Sequence, residues 1–323
     1  MGMVEYLVKR VVYTIIVLWA VLTIVFFLFR VMPANPVSIM VDSNLPPAAQ
    51  AALKAQWGLD KPLGEQYLVY LGNFLELNFG NSFYYGQPAW NMLKGPLFNT
   101  LLLAAPALAI GSIIGVLLGT YAGWRRGSFW ERLIILFVSI IRGIPSFVLG
   151  IIALMLFSYG LGLFPLGGMS TPGTVTAGLD QYFSLDFLGH YFLPLCVTIL
   201  LFVPESTLLM RTSIIEVRGE EFLELIKAKG MAERTIIKHA VRNSMLPVVT
   251  WIFSNVGYAI AGLMFIEVVF NWPGIGRELV SSVSRLDYPM AQAAFFVIAV
   301  IIVLANLVND LLYGYLDPRV VYD

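Results

Sequence analysis

The run Gly95-Pro-Leu-Phe-Asn-Thr-Leu-Leu-Leu-Ala-Ala-Pro-Ala-Leu-Ala-Ile-Gly-Ser-Ile-Ile-Gly-Val-Leu-Leu-Gly-Thr-Tyr-Ala-Gly-Trp124 lies between Lys94 and Arg125 without one charged side chain. A helix needs about 20 mostly apolar residues to cross a hydrocarbon layer of roughly 30 Å at about 1.5 Å per residue. The run exceeds that length, and its helix is predicted to start near Phe98, after Pro96. Gly111, Gly115, Gly119 and Gly123 fall at spacing four within it. They form one side-chain-free stripe along which a second helix can approach closely. The stripe reads either as tight packing inside one subunit or as a sliding surface in a protein that moves.

Around this run the composition says the same. Of 323 residues, 59% are hydrophobic and only 12% charged, about half the charged share of a soluble domain. Mean hydropathy is +0.80. Such a chain cannot cover the surface of a soluble globule without large apolar patches, so an ordinary soluble enzyme is excluded. Twenty basic and twenty acidic residues cancel, leaving no overall field to attract nucleic acid. One cysteine, Cys196, and two histidines, His190 and His239, offer neither a disulfide framework nor a metal site.

Uncharged runs place six spans at about residues 10–31, 98–123, 130–160, 187–211, 247–268 and 289–312 in one domain covering residues 1–323. The first is too long for a signal-peptide core and no small-residue cleavage site follows it, so it is expected to stay attached. With both termini cytoplasmic, thirteen Lys and Arg fall inside and six outside, Arg142 being left unassigned; basic loops mark the cytoplasmic side. Two connections are long: an aromatic-rich outer loop at about 32–95, with a short helix expected over 47–56, and a cytoplasmic loop at about 212–246. The chain shows no internal repeat and no low-complexity segment.

Ionisable and amide side chains inside the spans are candidates for a translocation pathway, because they are costly there. Arg142 reads either as a pathway group or as an inner-interface charge at the start of Gly143-Ile144-Pro145. Glu205, after Pro204, reads as a pathway group or as half of a buried ion pair. Glu267, near the outer end of span five, is a further candidate, with an interfacial position favoured. Asn255 is also carried as a candidate, although interhelical hydrogen bonding is favoured for Asn255, Asn306 and Asn309, and an inner-interface charge for Asp310.

The cytoplasmic loop carries a short helix with Glu220, Glu221 and Glu224 early and Lys227 and Lys229 late, complementing the helix dipole. Phe222, Leu223, Leu225 and Ile226 supply its apolar face, and Gly230 suits a C-terminal stop. A second helix is expected over about 232–243, leading into span five at Pro247. A short amphipathic helix between rigid spans suits docking of a partner.

Ala228-Lys229-Gly230, Arg234, His239-Ala240, Arg242-Asn243 and Leu246-Pro247 resemble the "EAA" loop of permease subunits in ATP-binding-cassette importers, in the dipeptide/oligopeptide/nickel branch. Resemblance continues in Tyr6 to Arg10, in Asp60-Lys61-Pro62, in Phe79-Gly80-Asn81-Ser82, in Phe265 to Gly276, in Asp287-Tyr288-Pro289 and in Leu316-Asp317-Pro318-Arg319. Leu225-Ile226 depart from the two alanines of the general loop pattern, and Ala34-Asn35-Pro36 from the branch's Gly-Asp-Pro. The resemblance implies an all-α membrane protein of six transmembrane helices with the type I ABC importer permease fold, in a prokaryotic cytoplasmic (inner) membrane. It implies as partners a homologous second permease, two ATP-binding-cassette ATPase subunits and an extracytoplasmic solute-binding protein, all around a lipid bilayer and without nucleic acid. Coupling to the ATPases is expected through Glu220, Glu221, Ala228, Lys229, Gly230 and Met231. His239 belongs to the loop's resemblance and reads as structural.

No lysine is followed by Ser or Thr, so there is no phosphate-cradling Walker loop. The chain is expected to be no enzyme and to hold no cofactor, ATP and Mg belonging to the ATPase subunits. Peptides are the expected solutes, with oligosaccharides as the alternative suggested by the aromatic outer loop. Histidines and cysteines are too few for this subunit to read nickel. A channel or ion-coupled secondary transporter is the competing class, but it calls for inverted repeats or paired broken helices.

Overall fold

In the computed structural model, residues 3–31, 60–173 and 179–316 are described. The helix expected over 47–56, the Ala34-Asn35-Pro36 sequence and residues 317–319 lie outside them. The described residues form helices joined by short turns: α1 Met3–Val31, α2 Leu63–Leu75, α3 Ala89–Trp124, α4 Phe129–Gly143, α5 Ser146–Ala153, α6 Leu185–Val217, α7 Glu221–Ala228, α8 Glu233–Gly262, α9 Met264–Val269, α10 Ile275–Ser284 and α11 Tyr288–Leu316. Among them, α1, α3, α6 and α11 are each long and apolar enough to cross a membrane, and the count reaches six if two bent pairs are each one span.

Several boundaries differ from the sequence expectation. Helix α3 begins at Ala89, well before Phe98, and holds both Pro96 and Pro106 inside it. Helix α6 runs to Val217, beyond the expected end at 211. The third span is broken: Phe129–Gly143 and Ser146–Gly160 meet at 102°. Ile144 sits at φ −92, ψ 126 because the ring of Pro145 drives the preceding residue out of the helical region. The second loop helix and span five are one helix, α8, with Pro247 in its interior. Proline there has no N–H for the Asn243 carbonyl; nearby, the Asn243 side chain donates to the His239 carbonyl at 2.8 Å.

Helices α3 and α6 run parallel and touch through the glycine stripe. A Cβ on Gly111, Gly115 or Gly123 would lie 2.8–2.9 Å from the carbonyl oxygens of Ile199, Val203 and Arg211 respectively, and one on Gly119 would strike that of Thr207. Four glycines at spacing four thus meet four carbonyls at spacing four. No β-carbon fits between them, because the obstacle is backbone.

Several outer-loop aromatics pack inward, while Tyr84 and Tyr85 are exposed. Tyr67 and Tyr70 lie 5.2 Å from Phe26 of α1, Phe74 lies 4.8 Å from Phe79, and Phe74 lies 4.9 Å from Phe296 of α11. Tyr70, Phe74 and Phe79 are buried. Their rings join two spans to α2, so part of the ring density that suggested sugar stacking is internal packing. Asp287 holds the following hairpin-like turn to the start of α11. It accepts from Ser82 Oγ, from the N–H groups of Phe83 (3.0 Å) and Tyr84 (3.2 Å), and from that of Met290 (3.3 Å).

Overpacking of this kind costs about 1–3 kcal/mol where neighbours can move, and backbone oxygens cannot. Gly119→Ala is expected to lower the thermal unfolding midpoint in detergent, and Gly115→Leu to abolish the folded form. Gly95→Ala, with nothing within 4 Å of the new carbon, should leave the midpoint unchanged or raise it. Equal midpoints for Gly95→Ala and Gly119→Ala would refute the ladder's role.

Candidate functional site

Three sites follow from the sequence candidates. The first is α7. Glu220 stands at its N-cap in an extended conformation. Leu223 is 0% exposed and packs with Met210, Ile214, Ile236, Ala240 and Val248, flanked by Phe222 and Ile226. Leu225, expected on the apolar face, is instead 60% exposed. Its neighbours on the open side are Glu220, Glu221, Glu224, Lys227, Ala228, Lys229, Gly230 and Met231, all exposed. The helix stops where Lys229 and Gly230 N–H donate to the Leu225 and Lys227 carbonyls. Gly230 has φ +70 with open space around it, so glycine is required there by conformation and not by crowding.

Side chains that the sequence reading passed over clamp this helix to α3. Arg218 donates to the Gly123 and Trp124 carbonyls at 3.2 and 2.8 Å, with its guanidinium carbon 5.3 Å from the Trp124 ring centroid. The Trp124 indole N–H donates to Glu233 at 2.9 Å. Both ends of the α7 segment are therefore tied to the last residue of α3. Nearby, Arg211 of α6 pairs with Glu131 of α4 at 2.5–2.8 Å, and Glu131 also accepts from Gly127 N–H. His239 is exposed.

The second site joins α9 to α3. Glu267 is 0% exposed. Its carboxylate accepts from Thr100 Oγ1 at 2.5 Å and from Arg277 N–H at 2.9 Å, at the start of α10. Ile275 N–H donates to the same Thr100 hydroxyl, the Trp272 indole N–H to the Asn99 carbonyl, and the Asn99 amide to the Pro273 carbonyl. The Pro273-Gly274-Ile275-Gly276 turn wraps the carboxylate so closely that a Cβ on Gly274 would fall on it. This geometry makes Glu267 a structural brace. Asn255 donates to the Trp251 carbonyl of its own helix at 2.9 Å.

The third is the ion pair Arg142–Glu205: Nη2 donates to Oε1 at 3.3 Å, and Nε lies 3.2 Å from Oε2. Arg142 occupies the last turn of α4, beside the break at Ile144-Pro145, and its side chain is 58% exposed against 34% for Glu205. Both sequence readings of Glu205 thus meet in one pair that is not buried. At the far end of the chain, Arg10 reaches Asp310 at 2.6 Å and joins α1 to α11.

Residues 115–322 match the family described as "Binding-protein-dependent transport system inner membrane component", and residues 3–104 match its N-terminal companion. The chain is similar to a protein of Brucella suis biovar 1 that carries a provisional peptide-permease name, at 35% identity over 98% of this chain and 99% of that one. It is similar to the dipeptide transport system permease protein of Lactococcus lactis subsp. cremoris, at 34% identity, and to that of Escherichia coli strain K12, at 32%. Both matches cover 98% of this chain and 99% of the relative.

Removing the Glu267 carboxylate orphans a buried hydroxyl and a buried N–H, which costs about 1–3 kcal/mol for each group left unmade. Glu267→Ala is expected to lower the unfolding midpoint clearly, and Gly274→Ala to do so at least as strongly. Wild-type midpoints for both would show that the brace carries no stability.

Proposed function

Because the chain belongs to the family of binding-protein-dependent transport system inner membrane components, we propose that it is one permease subunit of an ATP-binding-cassette importer for peptides, multi-pass in the bacterial cytoplasmic membrane. It works with a second, homologous permease, two ATPase subunits that bind ATP and Mg, and an extracytoplasmic solute-binding protein. Both termini lie on the cytoplasmic side with α7, where the ATPase subunits that bind ATP and Mg dock. Relatives named for peptides and dipeptides support the solute class, and the inward packing of Tyr70, Phe74 and Phe79 weakens the case for sugars.

The observation that carries the reading is the two-sided construction of α7. Its buried Leu223 is rooted in α6 and α8, while its charged rim faces away from the protein. A partner that grips Glu220, Glu221, Lys227 and Lys229 moves α6 and α8 through Leu223, and moves α3 through the Arg218–Trp124–Glu233 clamp. Closure of the ATPases on ATP pushes this helix, and the spans rock between inward- and outward-facing states.

Gly230→Asp forces a side chain into a left-handed conformation at the rim. It is expected to leave membrane insertion intact, and to cut solute uptake at least tenfold while ATP hydrolysis no longer responds to loaded binding protein. Undiminished uptake by a normally expressed variant would sink the assignment of α7. Purification in mild detergent should bring down a second permease and Walker-motif ATPases. A chain that emerged alone and carried solute into liposomes without ATP would overturn the importer reading.

A further inference from the structure

Two ion pairs join α4 to α6, and they are built differently. Glu131–Arg211 is 7% and 29% exposed, bonded at 2.5–2.8 Å, with an added backbone donor from Gly127. Arg142–Glu205 is longer and far more open, and no other hydrogen bond is made by either side chain among the described residues. Arg142 lies eleven residues beyond Glu131, about 16 Å along their helix, and Glu205 lies inside the long apolar helix α6. An open charge pair within apolar spans is not turned toward lipid, where ionised groups are costly; it belongs to a water-filled cavity or a protein partner. A pair kept for stability alone is better buried and saturated, as Glu131–Arg211 is.

We propose that Arg142 and Glu205 form a transit site for the two charged ends of a short peptide. This rests on the reading of the chain as a peptide permease. The guanidinium that now donates to Glu205 and holds it as an ion pair can donate to a C-terminal carboxylate instead, and Glu205 accepts hydrogen bonds from the N-terminal ammonium. The resident pair opens and two new pairs form, so no charge is left unpaired within the membrane before, during or after passage. Because every attraction gained replaces one given up, occupancy is weak, which suits a site that must release its cargo. Recognition of the ends alone is indifferent to the peptide's side chains. A sugar offers neither charge.

The test is equilibrium dialysis of radiolabelled trialanine against the whole permease–ATPase complex in nanodiscs, without the solute-binding protein. Competition by unlabelled trialanine, its C-terminal amide and its N-acetyl form reads out recognition of each end. Wild type is expected to prefer trialanine over each blocked form by about tenfold, the weight of one charge-assisted hydrogen bond. Arg142→Gln should bind about tenfold less and no longer distinguish acid from amide. Glu205→Gln should no longer distinguish the free from the acetylated amine, and Arg142→Lys should keep discrimination. Blocked forms competing as well as trialanine in wild type would overturn the proposal without any variant. So would no trialanine binding at all, or equal loss for every probe together with poor assembly, which would make the pair a subunit contact. Uptake of trialanine by proteoliposomes supplied with the binding protein separates the two levels. Uptake without end recognition overturns the site alone, and no uptake overturns the peptide reading as well.

Discussion

The backbone-to-backbone seam between α3 and α6 is the constraint on which the remaining structure rests. Four glycines accept four carbonyls at the same spacing, so register and direction are set together. A slip by one residue would present Ser112, Val116, Thr120 or Trp124 to those oxygens. Between apolar helices in lipid there is no hydrophobic driving force to hold them, and close van der Waals approach takes its place. Once the two helices are seated, Trp124 comes within reach of Arg218, and Arg211 is presented to Glu131.

That seam also explains why sites far apart in sequence share one rigid carrier. At one end α3 offers Asn99 and Thr100 to the turn around Glu267; at the other it offers Trp124 to the loop that holds α7. A displacement delivered to α7 is therefore handed to a helix pair in close backbone contact. The movement reaches the α9–α10 turn through hydrogen bonds to α3, with no need for a flexible relay.

What was legible in the sequence was whatever depends on local chemistry. Uncharged length marked the spans, glycine spacing marked the seam, and the order of acids and bases marked α7 with its stop at Gly230. Less legible was anything decided by a distant partner. That Glu267 is buried is decided by its meeting with Thr100, 167 residues away. Asp287 gave no sign that it would bind a turn 205 residues earlier through Ser82. Leu225 reads as apolar face by type, yet Leu223 and Ile226 take the buried side and leave it outward. Proline misled in both directions: Pro96 and Pro247 sit inside helices, whereas Pro145 breaks one, because the structure lets Ile144 extend.

The break at Ile144-Pro145 bears on how the chain enters the bilayer. Each limb of that span, Phe129–Gly143 and Ser146–Gly160, has fifteen residues and rises only about 22 Å if helical, short of a 30 Å core. Folded back at 102°, neither limb crosses alone, and the freed backbone groups at the corner need protein or water around them. Two ionised groups of the first limb, Glu131 and Arg142, find their ion-pair partners on α6, so the broken third span is completed by contacts from the fourth.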